Sequence, residues 1–295
     1  MGGIILTLKI ATRRSNLALV QTDYIKNIIE DRFGYTCEKL LVETEGDKNL
    51  NVSLDKIGGK GLFVKDIEIA LLNKEADAAV HSMKDVPFEL CPEFEIAAIP
   101  CREDVRDAFI SADFESFFKL PYGARVGTSS LRRSAQVKLI RPDIETVAIR
   151  GNVETRINKM KSEHMDGIIL AAAGLKRLGL ESLITNYFDP FTFLPAVGQG
   201  ALGVEVLKES ESYNIFKSLD AEDVRICVEA ERSFMRKLNG GCHTSLGAYA
   251  VLEGEDIFIT GIFQVNGKLV KKDIRGNKWD YISIGEKLGE EILKG

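Results

Sequence analysis

RVGTSSLRRSAQVKLIRPDIETVAIRGNVETR, residues 125–156, holds a whole cycle of strand, helix, strand and helix start in one short stretch. Arg125 to Gly127 reads as a strand end, and Thr128-Ser129-Ser130 supplies cap chemistry. Leu131 to Ile140 reads as a helix closed by Arg141-Pro142, because proline cannot continue it. Val147 to Ile149 reads as the next strand, and Gly151-Asn152 opens a helix marked by Val153, Ile157 and Met160. Strands and helices alternating at this interval predict an α/β fold.

The stretch is also unusual in charge. It holds six of the sixteen arginines (125, 132, 133, 141, 150 and 156) with one lysine and three carboxylates, a local +4 in a chain of net charge −5. Several of these arginines lie beside helix starts, where unpaired N–H groups and the helix dipole favour anions. Arginine's planar fork suits carboxylate or phosphate better than lysine's point charge. The expected ligand is a small or oligomeric polyanion.

Working outward, the rhythm repeats on the amino-terminal side. Leu8 to Ala11 and Leu40 to Val42 read as strands, with a helix between them predicted to turn Leu17, Val20, Tyr24 and Ile28 inward. Phe63, Ile67, Ala70 and Leu71 mark a further helix, and Ala78 to Val80 a third buried strand. The polar stretch Cys101 to Asp104 is the expected crossing to a second, similar half, and two such halves would enclose a cleft. Asp220 reads as the N-cap of a helix running to about Leu238, stopped by Asn239-Gly240-Gly241. Val224, Val228, Met235 and Leu238 are expected on its inward side, with Cys227 in the core. Alternating strands near 248–252, 257–263 and 268–274, turned at Glu253-Gly254 and Asn266-Gly267, precede a last helix near 281–293. The expected domains are 1–100 with 200–218, then 101–199, both α/β, and a small α+β domain over 219–295. Residues 46–61, polar and glycine-rich, read as a mobile lid.

Composition narrows the function. Hydrophobic content of 45% and charged content of 28% are ordinary for a globular protein. No apolar run is long enough for a transmembrane helix and the start has no signal-type segment, so the cytoplasm is expected. Five scattered cysteines and three histidines predict neither a disulfide framework nor a metal site. The acidic balance and single tryptophan argue against nucleic acid. Gly58-Gly59-Lys60-Gly61 lacks phosphate-loop spacing.

Taken together, the motifs resemble one family. Ala11-Thr12-Arg13, Ile57 to Phe63, Val80-His81-Ser82-Met83-Lys84-Asp85-Val86-Pro87, Gly127 to Arg133, Arg150-Gly151-Asn152-Val153, Leu194 to Gly200 and Gly240-Gly241-Cys242 are similar, in order, to the porphobilinogen deaminases. The resemblance implies two periplasmic-binding-protein-like α/β domains and a small third one. It implies a transferase that joins four porphobilinogens head to tail, releasing ammonia each time, to give hydroxymethylbilane. The chain would grow on a dipyrromethane cofactor held by a thioether to Cys242, in a monomer without metal.

Every ring of that chain carries an acetate and a propionate, which would repel one another in a low-dielectric site without counter-charges. The resemblance assigns that task to Arg13, Lys84, Arg132, Arg133, Arg150, Arg156 and Arg177, with Ser15, Ser82, Thr128 and Ser130 as neutral donors. Arg14 and Arg141 read as solvated charges. Asp85 is the expected catalytic carboxylate, since losing ammonia leaves a cation that a fixed anion stabilises. Lys56, Lys60 and Phe63 fall on the expected lid, and Gln199 reads as either a hinge or a cleft residue. Cys242 follows a helix carboxyl end, which raises a thiol's pKa, yet a single attachment to so reactive an electrophile needs no activated thiolate.

The chain departs from the family pattern at His243-Thr244-Ser245-Leu246, after the cysteine, and at Asn16, where proline is common. His243 beside Cys242 is not expected to act as its base, because adjacent residues seldom face each other. A binding protein of periplasmic type would explain the paired halves and the arginines but not Gly-Gly-Cys or the third domain. A cytosolic regulator with such an effector domain would need a DNA-reading helix that is not apparent.

Overall fold

The computed structural model describes residues 7–44, 64–240 and 244–295. The expected lid, with Lys56, Lys60 and Phe63, and the pair Cys242 and His243 lie outside the described residues. In chain order the first elements are β1 (Thr7–Arg13), α1 (Asn16–Phe33), β2 (Thr36–Val42), α2 (Lys65–Leu72), β3 (Ala78–Ser82) and β4 (Phe94–Ala98). Then come β5 (Asp107–Ile110), β6 (Arg125–Gly127), α3 (Leu131–Ile140), β7 (Glu145–Val147), α4 (Val153–Ser162), β8 (Gly167–Ala171), α5 (Ala172–Arg177) and β9 (Asn186–Tyr187). The chain continues with β10 (Leu202–Leu207), α6 (Tyr213–Lys217), α7 (Glu222–Lys237), β11 (Gly247–Glu253), β12 (Asp256–Val265), β13 (Lys268–Asn277) and α8 (Tyr281–Lys294). It divides into two compact units, Met1–Arg102 with Ala201–Glu222, and Glu103–Gly200 with Asp223–Gly295.

Each unit holds a five-stranded mixed sheet of the same design. The first has the order β2-β1-β3-β10-β4 and the second β7-β6-β8-β5-β9. In both, the first three strands are parallel and the fourth runs antiparallel to its neighbours. The returning strand is donated from far along the chain in the first unit (β10) and comes first in the second (β5). Buried runs explain the centre of each sheet: Ala78, Ala79 and Val80 in β3, and Ile168, Ile169 and Leu170 in β8, are apolar on both faces, as a covered sheet requires.

Two local expectations are corrected. The strand expected at 147–149 is β7 at Glu145–Val147, because Ile149 N–H and C=O are taken by the Ser129 hydroxyl instead of the ladder. Helix α1 turns a different face inward. Gln21, Thr22, Ile25 and Ile29 are its buried residues, while Val20 is 38% and Tyr24 47% exposed. The polar pair is tolerated inside because Gln21 Nε2 donates to Ser82 Oγ (2.8 Å) and Thr22 Oγ1 to Ala18 O (2.9 Å). Asp220 stands two residues before α7, and its carboxylate accepts from Ile99 N (2.7 Å).

The second unit also carries the antiparallel sheet β11-β12-β13. Its Asn266-Gly267 turn has positive φ at both residues (49° and 80°), the type I′ geometry that such a dipeptide favours. Ile284, Leu288 and Ile292 of α8 are buried at helical spacing. Helix α7 buries Val228, Phe234 and Cys227, and Glu231 is wholly buried among them. Its carboxylate accepts from Gly198 N (2.8 Å) and Ala250 N (2.9 Å), tying α7 to β11 and to the segment before β10.

Helices α7 and α8 meet closely at Gly285, where a Cβ would overlap Ser233 Oγ and Ala230 O. Gly285→Ala should therefore lower the unfolding free energy by about 1–3 kcal/mol through overpacking. A urea titration reads this as a lower midpoint, and an unchanged midpoint would disprove the close approach.

Candidate functional site

Within each unit, several of the expected site residues lie at the carboxyl ends of the parallel strands, where α/β sheets place ligands. In the first unit β1 ends at Arg13, which is half-buried, and Ser15 caps α1 by accepting from Ala18 N (3.4 Å). Strand β3 ends at Ser82, held by Gln21, and passes into a short 3-10 turn, Met83–Asp85. Met83 is the buried anchor of that turn, and its N–H donates to Ala201 O (3.0 Å). Lys84 is half-buried. Asp85 is exposed, and its carboxylate has no hydrogen-bond or ion-pair partner among the described residues.

In the second unit β6 ends at Gly127, and Thr128 and Ser130 follow. Thr128 Oγ1 accepts from Ser130 N (3.2 Å), and Ser130 is the N-cap of α3, accepting from Arg133 N (3.5 Å). Ser129 stitches this end to Ile149, which sets Arg150 just beyond. Asn152 caps α4 through Thr155 N (2.8 Å), and Arg156 Nε donates to Gly151 O (2.8 Å). At the end of α5, Arg177 Nη2 donates to Gly200 O (2.7 Å).

Arg132 and Arg133, expected simply as counter-ions for a ligand, are instead 4% and 6% exposed and share one internal carboxylate. Asp107, the first residue of β5, is 0% exposed. Its Oδ2 accepts from Arg132 Nη1 (2.7 Å), and its Oδ1 from Arg133 Nη2 (2.7 Å) and Nε (3.1 Å). Arg133 Nη1 donates to Ile169 O (2.9 Å), so all three of its nitrogens are engaged. Arg132 Nη1 also reaches Leu194 O, whereas its Nε and Nη2 have no partner among the described residues. Burial alone would push the Asp107 carboxyl up, but the two guanidiniums outweigh it and hold it well below the ordinary range.

Gln199, read as hinge or cleft, donates from Nε2 to Val105 O (2.7 Å) and Asp107 Oδ1 (3.0 Å). It therefore ties the two chain crossings, near 103–105 and 198–200, to the buried carboxylate. Arg141, read as solvated, pairs with Asp143 and reaches Leu120 O (3.1 Å).

Asp107 and Glu231 were invisible as site supports in the sequence, as was the buried contact of His81 Nε2 with Glu205 Oε2 (2.8 Å) behind the Ser82 turn. The only available signal was an acidic residue inside an apolar strand or helix. Cys37 is buried, its thiol pushed up to about 11 by burial and by Glu30, which removes it as a nucleophile. Among the described residues no group of three metal-ligating side chains and no helix long and apolar enough to cross a membrane is present.

These features define an α/β protein that presents, among the described residues, arginines, capped helix starts and an unpaired aspartate at its strand ends. The model of the "Porphobilinogen deaminase, dipyromethane cofactor binding domain" matches residues 8–214, and that of the "Porphobilinogen deaminase, C-terminal domain" residues 225–294. A porphobilinogen deaminase of Clostridium kluyveri is 62% identical over 290 residues, 98% of this chain and 100% of that protein. One from Clostridium perfringens (strain SM101 / Type A) is 60% identical over 96% of this chain and 98% of its own. The methionine binding protein MetQ is a distant structural likeness, at TM-score 0.47 and 10% identity over 74% of this chain and 91% of that one. The chain belongs to the porphobilinogen deaminase family. It is a transferase of tetrapyrrole biosynthesis that acts on porphobilinogen and uses a dipyrromethane cofactor.

The crossing segment gives a pH test. Burial raises the Asp104 carboxyl, but hydrogen bonds from Arg106 (2.7 Å) and an ion pair with Lys176 (3.0 Å) overcome this and hold it at about 2, against 3.8 in the unfolded chain. A depressed carboxyl stabilises the fold above its unfolded pKa and loses that contribution as pH falls through the folded value. The side chain is 8% exposed, so the loss between about pH 4 and 2 should be roughly 2 kcal/mol. Asp104→Asn should flatten this limb of the pH–stability curve; equal slopes in both proteins would exclude Asp104.

Proposed function

We propose that the strand-end residues divide the family's reaction between them, and that the exposed, unpartnered carboxylate of Asp85 carries its chemical step. Each addition breaks the aminomethyl C–N bond of porphobilinogen, and ammonia leaves with the bonding pair. The substrate is left as a methylene-pyrrolenine cation, and a ring proton must depart once the new carbon–carbon bond has formed. A carboxylate on a turn anchored by Met83 stabilises that cation through its pyrrole N–H and can take part in moving the proton. Lys84 beside it offers a charge for one substrate carboxylate, and Ser82 a neutral donor.

The remaining cations suit the acidic arms. Arg13, Arg150, Arg156 and Arg177 lie half-buried at strand or helix ends, where charge-assisted bonds to carboxylates are stronger than in open water. Ser15, Thr128 and Ser130 add hydroxyls at capped helix starts.

The donor set fits a dipyrromethane, whose carboxylates match it. The chain on the far side of Cys242 returns directly to the start of α3, where Ser245 Oγ donates to Leu131 O (3.4 Å). A Cβ on Gly247 would lie 2.9 Å from Arg132 Cδ. When bound through a thioether, the cofactor supplies a tether that water does not cleave and a pyrrole carbon for the first addition. Four additions would lengthen the tethered chain to six rings, and cleavage of the link to the primer, with water supplying the hydroxyl, would release the four-ring hydroxymethylbilane. The three sheets support three domains, 1–100 with 200–218, 101–199 and 219–295, in a cytoplasmic monomer without nucleic-acid or membrane partners.

Two measurements test this. Intact mass of the purified protein should exceed the polypeptide by two pyrrole units, and Cys242→Ala should remove the excess; a bare wild-type mass is the outcome that sinks the assignment. Asp85→Asn should keep the fold and its cofactor while turnover drops at least about a hundredfold, the lower range for a lost acid–base group. Near-normal turnover would remove Asp85 from the mechanism.

A further inference from the structure

The turn that carries Asp85 takes its position from β10. Inside the turn, Val86 N–H donates to Met83 O (3.2 Å). Its buried side chain, Met83, rests on the returning strand: the Met83 N–H donates to Ala201 O (3.0 Å), and a Cβ on Gly203 would overlap Met83 Sδ. Where Asp85 stands is therefore set by how β10 lies against β3.

That register is locked by two buried groups to which the proposed reaction assigns no task. Gly203 pairs with His81 and Glu205 with Ala79, so His81 and Glu205 lie diagonally on one face of the ladder. Their side chains meet there, Nε2 to Oε2 at 2.8 Å, with His81 7% and Glu205 0% exposed. On its other side β10 shifts register against β4 between Val204 and Glu205, and such an irregularity re-aims a side chain. It falls at the residue that reaches His81. Among the described residues Glu205 Oε1 has no partner, which leaves the bond to His81 to offset the cost of burying the carboxylate. Helix α2 packs over the pair, and its half-buried Glu68 has its carboxyl pushed up by burial and by Glu205 and drawn down by His81. For cohesion alone two apolar side chains would serve as well. A directional bond between them fixes position too.

We propose that His81 and Glu205 are positioning residues that fix β10 on β3 and, through Met83, hold the Asp85 carboxylate where the reaction needs it. This rests on the proposed function, in that Asp85 is taken to carry the chemical step. Both side chains are buried and act through the turn.

Turnover per folded, cofactor-loaded chain separates this from a purely structural role, with loading read from intact mass. Glu205→Ala and His81→Ala should each lower kcat roughly ten- to a hundredfold while KM for porphobilinogen stays within about twofold, because a displaced reacting group costs rate and the carboxylate-binding cations are undisturbed. The double variant should be no slower than the slower single one, since each residue acts through the other. Glu205→Gln keeps the side-chain shape, and its amide oxygen still accepts from His81 Nε2, so it should recover most of the wild-type turnover. In the alanine variants the Met83 amide should exchange about tenfold faster, as expected for the loss of one supporting hydrogen bond. A structural role alone would lower the folded fraction and leave turnover per loaded chain unchanged. Unchanged exchange at Met83, multiplied effects in the double variant, or a glutamine no better than alanine would each overturn the proposal. Faster exchange with full turnover would instead overturn the assignment of the chemical step to Asp85.

Discussion

Asp107 is held at the first position of a central strand by two arginines and a glutamine, and much of the second unit is organised around that contact. Arg132 and Arg133 open α3, so their attachment fixes how the helix start meets the sheet. Gln199 belongs to the segment that leaves the unit, and Val105 to the segment that enters it, so the same carboxylate gathers both crossings. Removing either partner of such a pair is far more damaging than never having built it, because it strands a buried charge. The sheet, the helix start and the crossings therefore stand or fall together.

The repeated sheet order gives this geometry its use. In each unit the parallel strands end in loops that must turn sharply into a helix or a 3-10 turn, and those turns expose caps and N–H groups on one edge. Polar residues there are positioned by hydrogen bonds to neighbouring groups: Ser82 by the Gln21 side chain, Thr128 by Ser130 N–H, Arg156 by the Gly151 carbonyl. Donors oriented in this way before any ligand arrives lower the ordering cost of binding.

Much of this was legible in the sequence wherever the signal was local. Helix α3 begins and ends where Ser130 and Arg141-Pro142 predict, and the Asn266-Gly267 turn adopts the geometry its dipeptide favours. The three-sheet α/β architecture follows from the alternation of apolar runs. Side-chain partners distant in sequence were not legible. Asp107 stands 25 residues from Arg132, on a strand the sequence reading did not mark, and nothing local identifies it as their counter-ion. The inward face of α1 was misread for a related reason. Apolar residues lie on both sides of that helix, and the deciding contact is Gln21 with Ser82, 61 residues away.

Glu231 shows how the third sheet is kept in register with the rest of its unit. Its fully buried carboxylate accepts from two backbone N–H groups, donors that are fixed by the main chain and cannot swing away. One of those donors, Gly198, precedes the crossing, and the other, Ala250, lies on β11 just beyond the segment that contains Cys242. The start of β11 and the crossing are thus referenced to one carboxylate through main-chain contacts. Side-chain changes at the surface of this sheet would leave that reference intact, whereas loss of the carboxylate would release both ends at once.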